Sequence, residues 1–267
     1  TSGTLDITSG TYIGAIDDNT TSDFFNISGG TYSEDVSGEP CEEGYAAFVN
    51  GTTPETWTVT KAWFLRYNAN GGTGTTMDSV FVKQSDDAAG RTVTVADCNY
   101  TYDSYAFAEW NTKADGTGNR VAPGAQFTQT QVTVLYAQWA RVKNATQGIL
   151  YDNLQTAINA ATAGDSLVVL TDMNINALPS KSVSIEILKS LVINGGKHTI
   201  TSTETRGLWV NASNVNLTLR NFYLDCTNTT AEGVRGVQLN GMDGSVFSNN
   251  TLLMDSCRVT TAGKYGK

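Results

Sequence analysis

Asp225 and Asp255 each follow a strand-like apolar run, and a pair of aspartates is what a glycosidase would need. Such enzymes set two carboxyl groups about 5–10 Å apart across a sugar ring, one of them as acid. His198 is the single histidine of the chain and the natural first choice for a general base. Arg220 and Arg235 are the basic residues a lyase could use beside a bound cation. Asp17-Asp18, Asp86-Asp87 and Asp115-x-Thr117 offer oxygen ligands of the kind calcium takes. Trp57, Trp63, Tyr67 and Trp209 are candidate glycan-contacting residues, because a flat ring with Asn and Asp nearby suits a sugar face. Core packing is the competing reading for each of these aromatics.

Spacing argues against the catalytic readings. When 216–224 is laid over 251–259, Leu217 falls on Leu252, Leu219 on Met254, Phe222 on Cys257 and Leu224 on Val259. Asp255 then lies over Arg220, so the two aspartates fall out of register. His198 sits in a GGKHT turn, with no GxSxG nucleophile motif to join. No aspartate run continues into the calcium loop that ends in glutamate, and no carboxylate cluster accompanies Arg220 or Arg235. The reading is therefore no enzyme: no catalytic, cofactor-binding or metal-binding residue is assigned. Sequons at Asn19, Asn50, Asn144 and Asn228 are expected from composition in a chain rich in Asn and Thr.

Composition bounds the partners. The 267 residues carry 17 Lys and Arg against 26 Asp and Glu, a net charge of −9. An acidic chain without a basic cluster is a poor ligand for nucleic acid or an anionic membrane. It contains no apolar run long enough to span a bilayer. Cys41, Cys98, Cys226 and Cys257 form no CxxC pair, and four scattered cysteines are too few for a disulfide scaffold. Charged residues make up only 16%, so Thr, Ser, Asn and Gly supply much of the polar surface. Those residues suit strands and tight turns better than helices.

Three segments follow along the chain. In residues 1–50, LDITSGTY at 5–12 and FNISGGTY at 25–32 repeat with Leu5 on Phe25, Ile7 on Ile27, Gly10 on Gly30 and Tyr12 on Tyr32. A strand-and-turn unit of this length predicts stacked solenoid coils, each burying its face on the next. Two copies are few, so they read as the tail of a longer upstream array. The stretch after them, including GYAAFVNG, resembles the linker that follows ISGGTY repeats in surface proteins of gut bacteria. Residues 51–60 are assigned as connector.

The segment 61–140 contains FLRYNANGGTGTTMDSVFV, YAFAEWNTKADGTGNRVAPGAQF and VTVLYAQW. Phe64, Leu65 and Tyr67 predict a strand ended by the Asn70-Gly71-Gly72 turn, and 133–139 alternates as a terminal strand. Phe107 and Trp110 supply core bulk. These motifs resemble the Listeria-Bacteroides repeat family, which includes the internalin B-repeat, although Glu109-Trp110 stands where the family usually has Gly-Trp and the middle is longer. The resemblance implies a small β-grasp-like domain with a spacing or adhesive role on cell surfaces.

The segment 141–267 opens with a helical stripe, Leu154, Ala157, Ile158 and Ala161, within a helix expected over 151–161. Strand-like GDSLVVL and LVINGGKHTI follow. This order resembles the start of a pectin-lyase-like right-handed parallel β-helix, with an N-terminal capping helix. The fold class expected is thus mainly β, in three parts: a short solenoid-like tail, a β-grasp-like domain and a parallel β-helix whose last coil has no cap and is expected to continue. The function expected is an adhesin or stalk module of a secreted or cell-wall-attached bacterial protein, with host or microbial glycans or surface proteins as partners. Signal and anchor segments are expected outside these residues. The alternative is the front part of a polysaccharide-active β-helix enzyme.

Overall fold

The structure is a computed structural model that describes residues 5–14, 25–39, 41–84, 89–175, 183–227, 233–239 and 245–261. It is mainly β, and its backbone contacts divide into two units. One unit comprises Thr1–Asn70, Gly74–Tyr100 and Glu109–Ala137; the other comprises Gly71–Thr73, Thr101–Ala108 and Gln138–Lys267. The expected 61–140 block contributes to both.

The first unit begins with β1 (Leu5–Ile7), β2 (Thr11–Tyr12), β3 (Phe25–Ile27) and β4 (Thr31–Tyr32). β1 lies parallel to β3 and β2 to β4, with Leu5 on Phe25, Ile7 on Ile27 and Tyr12 on Tyr32. The two copies of the repeat therefore stack in the register their sequences share. Each tyrosine donates its hydroxyl back three residues, Tyr12 to the Ser9 carbonyl at 2.7 Å and Tyr32 to the Gly29 carbonyl at 2.6 Å. The rings stack 5.0 Å apart. Ile7, Ile27, Tyr32, Val36 and Val59 form the small core beneath.

β5 (Tyr45–Asn50) and β6 (Thr56–Asn68) form an antiparallel hairpin. The expected connector at 51–60 is thus the hairpin turn plus the first residues of β6. Alternation in YAAFVN and TWTVT gives both strands a face to bury, which outweighs the Pro and Gly punctuation around them. β6 is 13 residues long and serves several partners. Its first part pairs with β4 and β5; its last part pairs antiparallel with β7 (Val80–Lys83) and parallel with the later strand β12.

β8 (Thr92–Thr94), β9 (Ala106–Asn111), β10 (Arg120–Val121), β11 (Gln126–Thr128) and β12 (Thr133–Ala140) complete this part of the chain. Asn70 and Gly71 take positive φ in the expected turn. Trp110 is fully buried against Tyr67 and Tyr100, and its indole N–H donates to the Ala96 carbonyl at 2.9 Å. Glu109 is buried and paired with Arg120 at 3.1 Å.

In the second unit β13 (Val142–Asn144) pairs with β14 (Ile149–Tyr151), and α1 (Leu154–Ala160) follows. The helix is shorter than the expected 151–161. Tyr151 closes β14, and the Asn153 side chain caps α1 by accepting the Thr156 N–H at 2.8 Å. The expected stripe of Leu154, Ala157, Ile158 and Ala161 is buried.

From Ser166 onward the chain visits three sheets in rotation, each strand parallel to its counterpart in the round before. The first receives β15 (Ser166–Val169), the second β16 (Met173–Ile175) and the third β17 (Val183–Ile187). The next round is β18 (Leu191–Asn194), β19 (Thr199–Ser202) and β20 (Arg206–Val210). β21 (Asn216–Arg220), β22 (Tyr223–Cys226) and β23 (Arg235–Gln238) repeat the cycle; β24 (Thr251–Asp255) and β25 (Arg258–Thr261) begin another. Leu191, Leu217 and Leu252 stack in one row, Ile193, Leu219 and Met254 in the next. Leu217 and Leu219 are buried as expected, and Leu252 packs partly against the same core. Met254 is 41% exposed, because among the described residues its strand has a neighbour on one side only.

Candidate functional site

The carboxylates singled out for chemistry are not in register with each other. Asp225 is in register with Thr260, and Asp255 with Arg220. Hydrogen bonds from the Thr227 hydroxyl and N–H hold the Asp225 carboxyl below its usual range, which makes it a poor proton donor near neutrality. His198 occupies the expected turn, with its Nδ1 3.4 Å from an exposed Asp172 carboxylate. Asp115 accepts both the N–H and the hydroxyl of Thr117, which lowers its pKa and closes a local turn. Asp17-Asp18 and Asp86-Asp87 lie outside the described residues. Among the described residues no group of three His, Cys, Asp or Glu side chains is placed to hold a metal ion. All four cysteines are free.

Among the described residues is a buried, multiply bonded carboxylate that the sequence did not mark. Asp165 is buried and accepts from Asn144 at 2.8 Å, Gln147 at 2.6 Å and the Thr162 N–H at 2.8 Å. The Asn144 hydrogen bond, then the others, holds its pKa down. These bonds tie the β13–β14 turn to the start of β15, a structural clamp. They also bury the Asn144 amide, which removes that sequon from the surface. Asn50 is half-buried and donates to the Thr58 hydroxyl at 2.6 Å. Asn19 and Asn228 lie outside the described residues.

The four candidate aromatics do not form one platform. Tyr67 is buried in the Trp110 cluster, its ring 4.9 Å from the indole, and its hydroxyl accepts the Ala96 N–H at 2.9 Å. Burial pushes its phenol pKa up. Trp209 is 5% exposed on β20. Neither presents an open ring face, since both side chains are buried. Trp57 is half-buried against the Ile27 core, and Trp63 is half-buried with the Arg91 guanidinium 5.3 Å from its ring.

A different aromatic surface is open. A cleft of about 500 Å³ in the first unit is lined by Glu39, Glu42, Tyr45, Phe64, Arg66 and Phe81, among others. β6 and β7 create it by placing Phe64 opposite Phe81, rings 5.7 Å apart. Phe64 is buried beneath the Arg66 guanidinium, which lies 4.1 Å from its ring, while Phe81 is 45% exposed. An exposed ring beside carboxylates and a guanidinium offers an apolar face together with hydrogen-bonding groups of both kinds. Phe81 could have been found from the sequence only by pairing VFV with WFL across the antiparallel β6–β7 pair.

No helix among the described residues is long and apolar enough to cross a membrane. No curated protein and no solved structure matches the chain. Residues 64–138 match the Listeria-Bacteroides repeat domain family, which is typical of bacterial surface proteins and is found in extracellular bacterial proteins.

Proposed function

We propose that this chain is a non-enzymatic spacing and adhesion module of a secreted or cell-wall-attached bacterial surface protein, and that the Phe81 cleft is its glycan contact. The carrying observation is the family match over 64–138, a repeat typical of such proteins. The rotation of the chain among three parallel sheets supports reading the second unit as coils of a pectin-lyase-like right-handed parallel β-helix. The pairing of β6 with β7 and β12 supports a β-grasp-like reading of the repeat. In this reading the stacked coils give length, and the repeat and its neighbouring hairpin give contact.

The test is a glycan array, followed by incubation of the same chain with the bound glycans and with pectins, uronans and mucin glycans. Retention without turnover is expected, with Phe81→Ala weakening retention. Turnover that vanishes in Asp225→Ala or Asp255→Ala would replace this reading with the polysaccharide-active enzyme.

A further inference from the structure

In the third parallel sheet, β17, β20 and β23 place Val183, Arg206 and Arg235 at one level and Ile185, Leu208 and Val237 two residues on. The second row is aliphatic throughout. The first changes from valine to two arginines on successive coils. Neighbouring strands lie about 4.8 Å apart, so two cationic side chains leave the stack at the same level. Like charges in direct cross-strand register repel, and a carboxylate between them would be the ordinary remedy.

None is found among the described residues, where no carboxylate forms an ion pair with either arginine. Glu204, the nearest in sequence before Arg206, is half-buried with its backbone N–H on the Ser202 hydroxyl. Glu186, on β17, accepts from the Asn211 amide. Glu232 lies outside the described residues.

Arg206 is instead oriented by neutral groups. Its Nε donates to Gln238 Oε1 at 2.6 Å and its Nη1 to Thr205 Oγ1 at 3.3 Å. The Thr205 carbonyl accepts the Arg235 N–H at 2.7 Å, which fixes the start of the next coil beside it. The guanidinium is therefore held by neutral partners and, among the described residues, has no ion pair. Arg206 is half-buried and Arg235 exposed, so the pair opens to solvent. In a chain with nine more acidic than basic groups, these are two basic residues that no carboxylate among the described residues pairs with.

We propose that Arg206 and Arg235 form an oxyanion-binding site that takes a carboxylate or sulfate group of a ligand. Arginines in direct register on neighbouring strands can together supply guanidinium donors to the paired oxygens of either group, in charge-assisted hydrogen bonds. This site is in the second unit and does not depend on the Phe81 cleft or on the adhesive reading.

The test uses the intact chain and its Arg235→Gln variant, whose altered side chain is exposed; circular dichroism checks that the variant stays folded. Sodium sulfate, sodium acetate and sodium chloride are titrated at matched ionic strength, followed by calorimetry and thermal unfolding. Sulfate stabilises folded proteins generally by exclusion from their surface, so the readout is the difference between the two proteins. Saturable binding that weakens about ten- to a hundredfold in Arg235→Gln is expected, the effect of losing one charged hydrogen-bonding partner. Gln238→Glu, which keeps an acceptor for Arg206 and adds an internal counter-charge, should weaken binding as well. Preference for sulfate points to a sulfate-bearing ligand, and preference for acetate to a carboxylate-bearing one. Equal responses in wild type and folded Arg235→Gln would overturn the site.

Discussion

Two stretches of this chain stack strand on parallel strand, and they do so by different means. The N-terminal ladder repeats residue identities: a tyrosine that bonds back to its own turn, a glycine, and an isoleucine facing the small core. The later ladder repeats only a pattern. Leu217 lies on Leu191 and under Leu252, and hydrogen bonds between successive coils join residues 26 apart in one case and 35 in the next. The N-terminal ladder buries little, so its turn geometry must be right in each copy. The later one rests on a continuous aliphatic core that tolerates corners of different length. Repetition of identity marks a structure held by its turns, and repetition of hydropathy marks one held by its interior.

The largest expected effect tests the second half of that contrast. Leu217 is 1% exposed with a coil on each side, and Leu217→Ala should cost about 2–5 kcal/mol. Leu252→Ala, in the same row but half-buried, should cost less than half as much in urea unfolding of the same chain. Equal costs would mean that the row is not what carries the stack.

The next effect belongs to the turns. A Cβ on Gly29 would lie 2.1 Å from the Thr8 carbonyl oxygen of the preceding copy, so the two coils would have to part. Gly29→Ala should destabilise the ladder by about 1–3 kcal/mol, the usual range for overpacking. Gly38→Ala, with open space around its Cβ position, is the matched control and should be near neutral. The equivalent of Gly29 in the first copy is Ser9, where the described residues place no strand beneath. If Gly29→Ala is as harmless as its control, shape at the turn is not what holds the N-terminal ladder.

The same contrast explains what the sequence revealed. The N-terminal register was legible because identical residues had to coincide, and the pairing of 216–224 with 251–259 because large apolar residues alternate in both. The rows joining β18 to β21 were harder, since corner lengths differ and no fixed period repeats. Among site residues, alternation separates two faces of a strand but does not tell which face another layer covers. Trp57 and Trp63 kept some exposure, whereas Tyr67 and Trp209 did not. Phe81 and the Arg206–Arg235 pair depend on cross-strand register, which only the folded chain supplies.

The smallest effect at neutral pH is also the most specific to the N-terminal ladder. Tyr32 is 1% exposed and donates to the Gly29 carbonyl, so Tyr32→Phe should cost about 0.5–1.5 kcal/mol near pH 7. Burial, and after it the neighbouring Tyr12, pushes its phenol from 10.0 up to about 12. In the unfolded chain the phenol loses its proton near pH 10, while in the fold it keeps the proton to higher pH. The protonated fold is therefore favoured. This contribution is complete below pH 10 and is lost as pH rises from 10 to about 12, amounting to roughly 1–3 kcal/mol over that window. Tyr32→Phe has no proton to lose there, so its stability should fall less steeply than that of the wild type across the same range. Urea unfolding of both proteins at pH 8, 10 and 11.5 measures the difference. Parallel loss in the two would show that the tyrosine turn is not the alkaline weak point. Convergence of the two stabilities at high pH would tie the N-terminal ladder to the hydroxyl that each copy turns back on itself.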